Sequence, residues 1–251
     1  MRVVLAVVLL FMITQALSIF VSLHYQDNLP YNISRPTEKD AATSVIIGLL
    51  CGTIIVLLLI KYNLISVIKV WIFLVLWFVS SVTLNLFVDG AAVMSAFFIT
   101  FLAMFEPEIM NIVLVIALSG LTAIIAPVFS TSSALLLLGA ISIYDVYAVF
   151  VSKHMLKMAT KLRNIMGFNI GKPGTQYGTG KRVGAFLGNG DVVFASIMSA
   201  VLAIKNIYLG TLNLALTTIT ILLMFMYMKR PMPAMPFITL ASVPAVILSF
   251  V

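Results

Sequence analysis

The sequence predicts an all-α polytopic membrane protein with about nine transmembrane helices, and three observations lead there. Hydrophobic residues make up 62% of the 251, and charged residues only 9%, against about 25% in soluble domains. Apolar runs close to the ~20 residues needed to cross a bilayer follow one another along the chain. The basic residues, which give a net charge of +7, fall in short loops between those runs, where they set topology.

On the length rule the spans are 3–23, 41–60, 70–88, 90–105, 109–126, 133–151, 183–204, 207–228 and 231–251. The first follows Arg2 and resembles a secretory leader, but no small-x-small cleavage site comes after it, so it is read as a retained span. The fourth is short and is set off only by Asp89-Gly90. With the N-terminus cytoplasmic, twelve of the fifteen Lys and Arg lie inside, and only Arg35, Lys39 and Lys205 outside. The positive-inside rule favours that arrangement, which puts the C-terminus outside. Residues 152–182 form a basic cytoplasmic loop with seven Lys or Arg and no acid. Its second half, from Gly167 to Gly180, is glycine-rich, lacks helical periodicity and is expected to be mobile. With no internal repeat and no soluble segment long enough to fold alone, residues 1–251 read as one membrane-embedded domain.

Composition also excludes several functions. Basic residues confined to loops argue against nucleic-acid binding. The single cysteine, Cys51, supports neither a disulfide framework nor a cysteine zinc site. His24 and His154 sit at the ends of different spans and make no metal pair. Nothing in the chain points to a metal or an organic cofactor.

Six of the eight acids, Asp27, Glu38, Asp40, Asp89, Glu106 and Glu108, fall in loops. Asp145 and Asp191 lie within apolar spans instead, where an aspartate costs about 2.5–3.5 kcal/mol on insertion scales. Neither has an intramembrane Lys, Arg or His to pair with, which leaves each other. On the span limits above, both sit roughly 9–12 Å below the cytoplasmic surface at about 1.5 Å per residue. If spans six and seven are neighbours the carboxylates face one another, and two that close share one proton, so the pair holds an acid and a base at once. That is the equipment for activating water and protonating the tetrahedral intermediate of amide hydrolysis.

Short motifs surround both acids. Tyr144 precedes Asp145, and its hydroxyl is placed to hydrogen-bond near the pair. Gly188-Asn189-Gly190 precedes Asp191, and glycines in a span let another backbone approach. The last span opens with prolines at 231, 233 and 236, around Pro233-Ala234-Met235. Prolines strip backbone donors and clash with helical geometry. Irregular backbone at that depth is tolerated where it is buried in protein or lines a wet cavity.

Together these residues resemble the presenilin and signal peptide peptidase family of GxGD intramembrane aspartyl proteases. The family pattern is Tyr-Asp in span six, Gly-x-Gly-Asp in span seven and Pro-Ala-Leu at the start of span nine. Tyr144-Asp145, Gly188-Asn189-Gly190-Asp191 and Pro233-Ala234-Met235 fall in that order. Two positions depart from it: Met235 stands for leucine, a volume-conserving change, and Asn189 occupies a position that is usually apolar. The resemblance implies a catalytic Asp145/Asp191 pair cleaving peptide bonds inside a substrate's transmembrane helix. It also implies an unwound substrate pairing with an extended strand before span seven, for which the glycine-rich stretch ending at Lys181-Arg182 is the candidate. The orientation and length look like a compact microbial presenilin homologue acting in the lipid bilayer without accessory subunits. The alternative from a different class is a proton- or cation-coupled transporter or channel using the same two aspartates.

Overall fold

The computed structural model describes residues 2–32, 38–151, 167–171, 184–227 and 232–250. Nine α-helices and one β-hairpin are found among them. The helices are α1 (Arg2–His24), α2 (Glu38–Lys61), α3 (Ile65–Asn85), α4 (Ala92–Ala103), α5 (Pro107–Ile125), α6 (Thr131–Val146), α7 (Asn189–Lys205), α8 (Ile207–Tyr227) and α9 (Met235–Leu248). Each corresponds to one expected span. Among the described residues five helical stretches are long and apolar enough to cross a membrane: Arg2–His24, Ile65–Asn85, Glu108–Val128, Thr131–Phe150 and Ile207–Tyr227. The twelve residues of α4 reach only about 18 Å, so the short fourth span is short in fact.

Local chemistry sets the helix limits. Asn63 takes φ 58 between α2 and α3, and Gly90 takes φ 76 before α4; both residue types tolerate that left-handed region. Pro107 opens α5 with Glu108 in its first turn, where a missing N–H and a negative charge are both favourable. Ser130 caps α6 by accepting the Ser133 N–H, which satisfies one orphan donor. Lys205 ends α7, and the Asn206 side chain accepts the Tyr208 N–H at the start of α8.

α7 is the centre of the bundle. Every residue from Val192 to Ala203 is buried, the mark of a helix surrounded by protein rather than lipid. It packs against α1, α5, α6, α8 and α9, while α1 also packs on α5 and α8. Polar side chains tie this centre together. Ser199 donates to Gln15 Oε1 (2.7 Å), Asn213 donates to Ser199 Oγ (2.9 Å), and Thr217 donates to Gln15 Oε1 (3.2 Å). All four residues are fully buried. α3, α4 and α5 form a second layer, with Thr83 donating to the Ile116 carbonyl across α3–α5. α2 stands at the periphery, against α3 and α6.

The hairpin pairs β1 (Gly167–Gly171) with β2 (Gly184–Gly188) antiparallel, with Gly167 opposite Gly188 and Gly171 opposite Gly184. Phe168, Leu187 and Ala185 turn one face into the core beside α1 and α5. The opposite face carries the four glycines with Asn169 and Phe186, as the two-residue period of a strand requires.

The structure departs from the sequence-based expectations around spans seven and nine. Residues 184–188 are strand, so the seventh helix begins at Asn189 rather than 183, and Asp191 is its third residue rather than about its eighth. Residues 167–171 are also strand, with Phe168 fully buried, where an irregular glycine-rich loop was expected. The rest of the 152–182 loop, with Lys181 and Arg182, lies outside the described residues. Span nine begins as a helix at Met235, so Pro233 precedes it and Pro236 occupies its first turn, a tolerated position. The proline within that helix is Pro244.

Candidate active site

Asp191 is placed by its own helix terminus. Gly188 is the N-cap of α7, with extended backbone at φ −65 and ψ 143. Asn189 and Gly190 follow as the first two helical residues, and Asp191 is the third. An acid at the third position reaches back to the N-cap amide, as in a capping box, and the Asp191 carboxylate accepts the Gly188 N–H. The approach is close: a Cβ on Gly188 would stand 3.1 Å from Asp191 Oδ2. A methyl there would press on the Asp191 carboxylate, which would have to give by a few tenths of an ångström. At Gly190 a Cβ would meet nothing within 4 Å, and the residue is exposed, so the fold itself does not demand glycine there.

Asp145 sits in the last turn of α6, only 5% exposed. Its Oδ2 accepts the Met235 N–H at 3.2 Å, and the carboxylate also accepts from Ala234. These amides open α9, a helix with no side-chain cap of its own. The first amides of a helix lack internal partners and face an anion favourably. Asp145 thus caps α9 from outside, much as Asp191 caps α7 from within. A second tie holds α9 in place: the Ser142 and Thr239 hydroxyls hydrogen-bond at 2.7 Å, one turn from Asp145. One residue beyond Asp145, after Val146, the helix widens into a π-helical turn, Tyr147–Val151, a distortion common at functional sites.

The two carboxylates fall within coulombic reach of each other, α6 being packed on α7. Asp145 is buried and Asp191 partly exposed. Pro233, Ala234 and Met235 are all buried, with the Ala234 and Met235 amides on Asp145. Asn189 is half-buried at the start of α7. The Tyr144 hydroxyl meets Thr53 of α2 at 3.1 Å, which joins the peripheral helix to the site. No group of three or more His, Cys, Asp or Glu able to hold a metal occurs among the described residues.

Sequence reasoning missed Asn111. It is buried near the start of α5, donates Nδ2 to the Asn169 carbonyl, and accepts the Asn169 N–H at Oδ1, both at 3.1 Å. A neutral amide in an apolar run was the available signal. Ser142 and Thr239 carried less, because hydroxyls in spans commonly bond their own helix.

The sequence model described as "Signal-peptide peptidase, presenilin aspartyl protease" matches residues 8–251. No curated protein matches the chain significantly in sequence. Among solved structures, a presenilin family intramembrane aspartate protease in a C222 crystal form superposes with a TM-score of 0.70 at 15% identity, covering 98% of both chains. A presenilin family intramembrane aspartate protease in a P2 crystal form gives 0.65 at 17% identity, covering 98% of this chain and 96% of the other. At these identities the structures establish the shared fold, and the sequence match establishes the family. None of the comparisons supports a transporter.

Proposed function

Because the chain belongs to the signal-peptide peptidase and presenilin family of aspartyl proteases, we propose that Asp145 and Asp191 are its catalytic pair, hydrolysing peptide bonds within transmembrane helices of other membrane proteins. The observation that carries this reading is the placement of two intramembrane carboxylates at two helix N-termini, within coulombic reach of each other. A cation at either site would have made them a structural ion pair. Among the described residues no Lys, Arg or His lies beside them in the spans, and two carboxylates at close range share a single proton whose titration belongs to the pair.

In the reaction, water sits between the carboxylates. The ionised aspartate takes a proton as the water oxygen bonds to the scissile carbonyl carbon. The protonated one delivers its proton to the carbonyl oxygen, giving a neutral gem-diol. Breaking the C–N bond then needs a proton on the nitrogen, supplied by the carboxyl that received one. A diol proton returns to the other carboxylate, and the pair is restored. The fixed amides at 188, 234 and 235 hold both carboxylates in place through these transfers, which is preorganisation rather than proton chemistry.

An intact substrate helix hides its carbonyls, so the substrate must extend near the pair. β2 runs without interruption into Gly188 and Asp191. An unwound segment adding to β2 by main-chain hydrogen bonds brings its peptide planes alongside Asp191. Residues 1–251 act as one catalytic unit in the bilayer, without accessory subunits. A peptide mimic with a hydroxyl in place of the scissile carbonyl copies the diol and is expected to inhibit at well below substrate KM. Full activity at saturating mimic would sink the reading.

Gly190→Ala should keep or raise Tm, since alanine is favoured over glycine in a helix by about 0.8–1.0 kcal/mol, yet lower cleavage more than about tenfold, because its methyl points into the space a substrate backbone would use. Retained activity would place the substrate elsewhere. Orientation rests on the basic residues: a reporter fused after Val251 should read out on the extracytoplasmic side, and an inside reading would reverse the topology.

A further inference from the structure

The hairpin has two edges, and the structure treats them differently. In an antiparallel pair, residues alternate between exchanging both hydrogen bonds with the partner and pointing both main-chain groups away from it. Asn169 gives its N–H and its C=O to the Asn111 side chain, so both groups point away from β2. The alternation then assigns Phe168–Leu187 and Ile170–Ala185 as the exchanging pairs. It sends the N–H and C=O of Phe186, the residue opposite Asn169, to the far edge of β2. Among the described residues the sheet has two strands, and no third adjoins that edge.

The Asn111 carboxamide carries one donor and one acceptor, the same pair a peptide unit presents. It occupies on β1 the place where an incoming strand would bond. Anchored on α5 and buried, it is not displaced as a mobile loop would be.

We propose that Asn111 is a substrate-positioning residue that closes the β1 edge and leaves β2 as the only edge to which an extended substrate adds. The assignment rests on the protease reading above. Its consequence is geometric. Neighbouring strands lie about 4.8 Å apart, so a segment on the β1 edge would run roughly 10 Å from the line of β2, beyond the reach of Asp191. A segment on the β2 edge runs directly past it. Asn111 also pins the register of the hairpin, because glycine-rich strands specify register weakly.

The test uses full-length protein carrying Asp191→Asn, which holds substrate uncut, and a biotinylated single-span peptide. A photo-crosslinking amino acid is placed in turn at 186 on β2 and at 169 on β1, whose main chain bonds Asn111. With Asn111 present, crosslinking at 186 should exceed that at 169 by about tenfold or more, the scale set by two ordinary hydrogen bonds. Asn111→Leu, close in volume and without either bond, should bring the ratio near one. In the same variant with Asp191 intact, products should spread to neighbouring bonds and KM should rise about tenfold. Asn111→Asp keeps the acceptor and loses the donor, and should fall between the two. It decides the matter if Asn111→Leu does not fold. A merely structural asparagine would lower Tm and active fraction together, leaving the crosslinking ratio and product masses unchanged, and that result overturns the proposal. If Asp145→Asn and Asp191→Asn both abolish cleavage while the ratio is unmoved, only the role of Asn111 falls. If neither position crosslinks and the aspartate variants still cleave, the protease reading falls first.

Discussion

Asp145→Asn and Asp191→Asn are each expected to lower cleavage below about one per cent of wild type while leaving the protein folded and inserted. The amide is nearly isosteric with the carboxyl, and its oxygen still accepts the Gly188 N–H at 191 or the Met235 N–H at 145. What it cannot do is accept or deliver the shared proton. Residues that act as a unit lose most of their catalysis when one member goes, commonly 10⁴-fold or more, so the double variant should be little worse than either single one. Stability should move the other way. A carboxylate held in a span is costly where a neutral amide is cheaper, so Tm should be equal or slightly higher in both variants. Activity lost together with Tm would instead mark the aspartates as structural. In the intact enzyme a pair holding one proton gives activity that falls at both acid and alkaline extremes.

Gly210→Leu has the largest expected effect on stability. A Cβ at this position of α8 would stand 2.4 Å from the Ala203 Cβ and 2.7 Å from the Ser199 carbonyl oxygen. Both contacts are on α7, and the backbone oxygen has little room to yield. The helices must separate, and separation stretches the Asn213–Ser199 hydrogen bond close by. Overpacking costs about 1–3 kcal/mol, and leaving the buried polar groups of this network unpaired adds about 1–3 kcal/mol. For a chain of this size about 2–4 °C accompanies each kcal/mol, so thermal melts in detergent should show Tm lower by roughly 5–20 °C. Since α7 carries Asp191, activity should fall in step with the folded fraction. A Tm within about 2 °C of wild type would show that α7 and α8 pack less closely than described.

Apolar runs were enough to locate each of the nine described helices, though only five of the described helical stretches are long and apolar enough to cross a membrane. They could not place the hairpin. Gly184-Ala185-Phe186-Leu187-Gly188 is a short apolar run, and periodicity does not separate such a run from the end of a helix. Such a run reads as the opening of the seventh span, which sets Asp191 too deep in its helix. The readable clue was the matching pattern of two five-residue segments, each bounded by glycine, at 167–171 and 184–188. The aspartates were legible because charge is expensive in a span. Asn111 and Gln15 were not, because neutral amides cost less and single polar residues are common within spans. Nor could the proline count reveal that the amides of Ala234 and Met235 converge on Asp145; that depends on α6 and α9 meeting in space.

The central claim is peptide-bond hydrolysis within a transmembrane segment. Its most direct test is the masses of the products when purified wild-type protein and the Asp191→Asn variant are each incubated in detergent with one single-span substrate. Wild type should yield two fragments whose masses sum to the substrate plus one water, with the cut inside the apolar segment, and Asp191→Asn should yield neither. Fragments cut only outside that segment, or the same fragments from both proteins, would contradict the account.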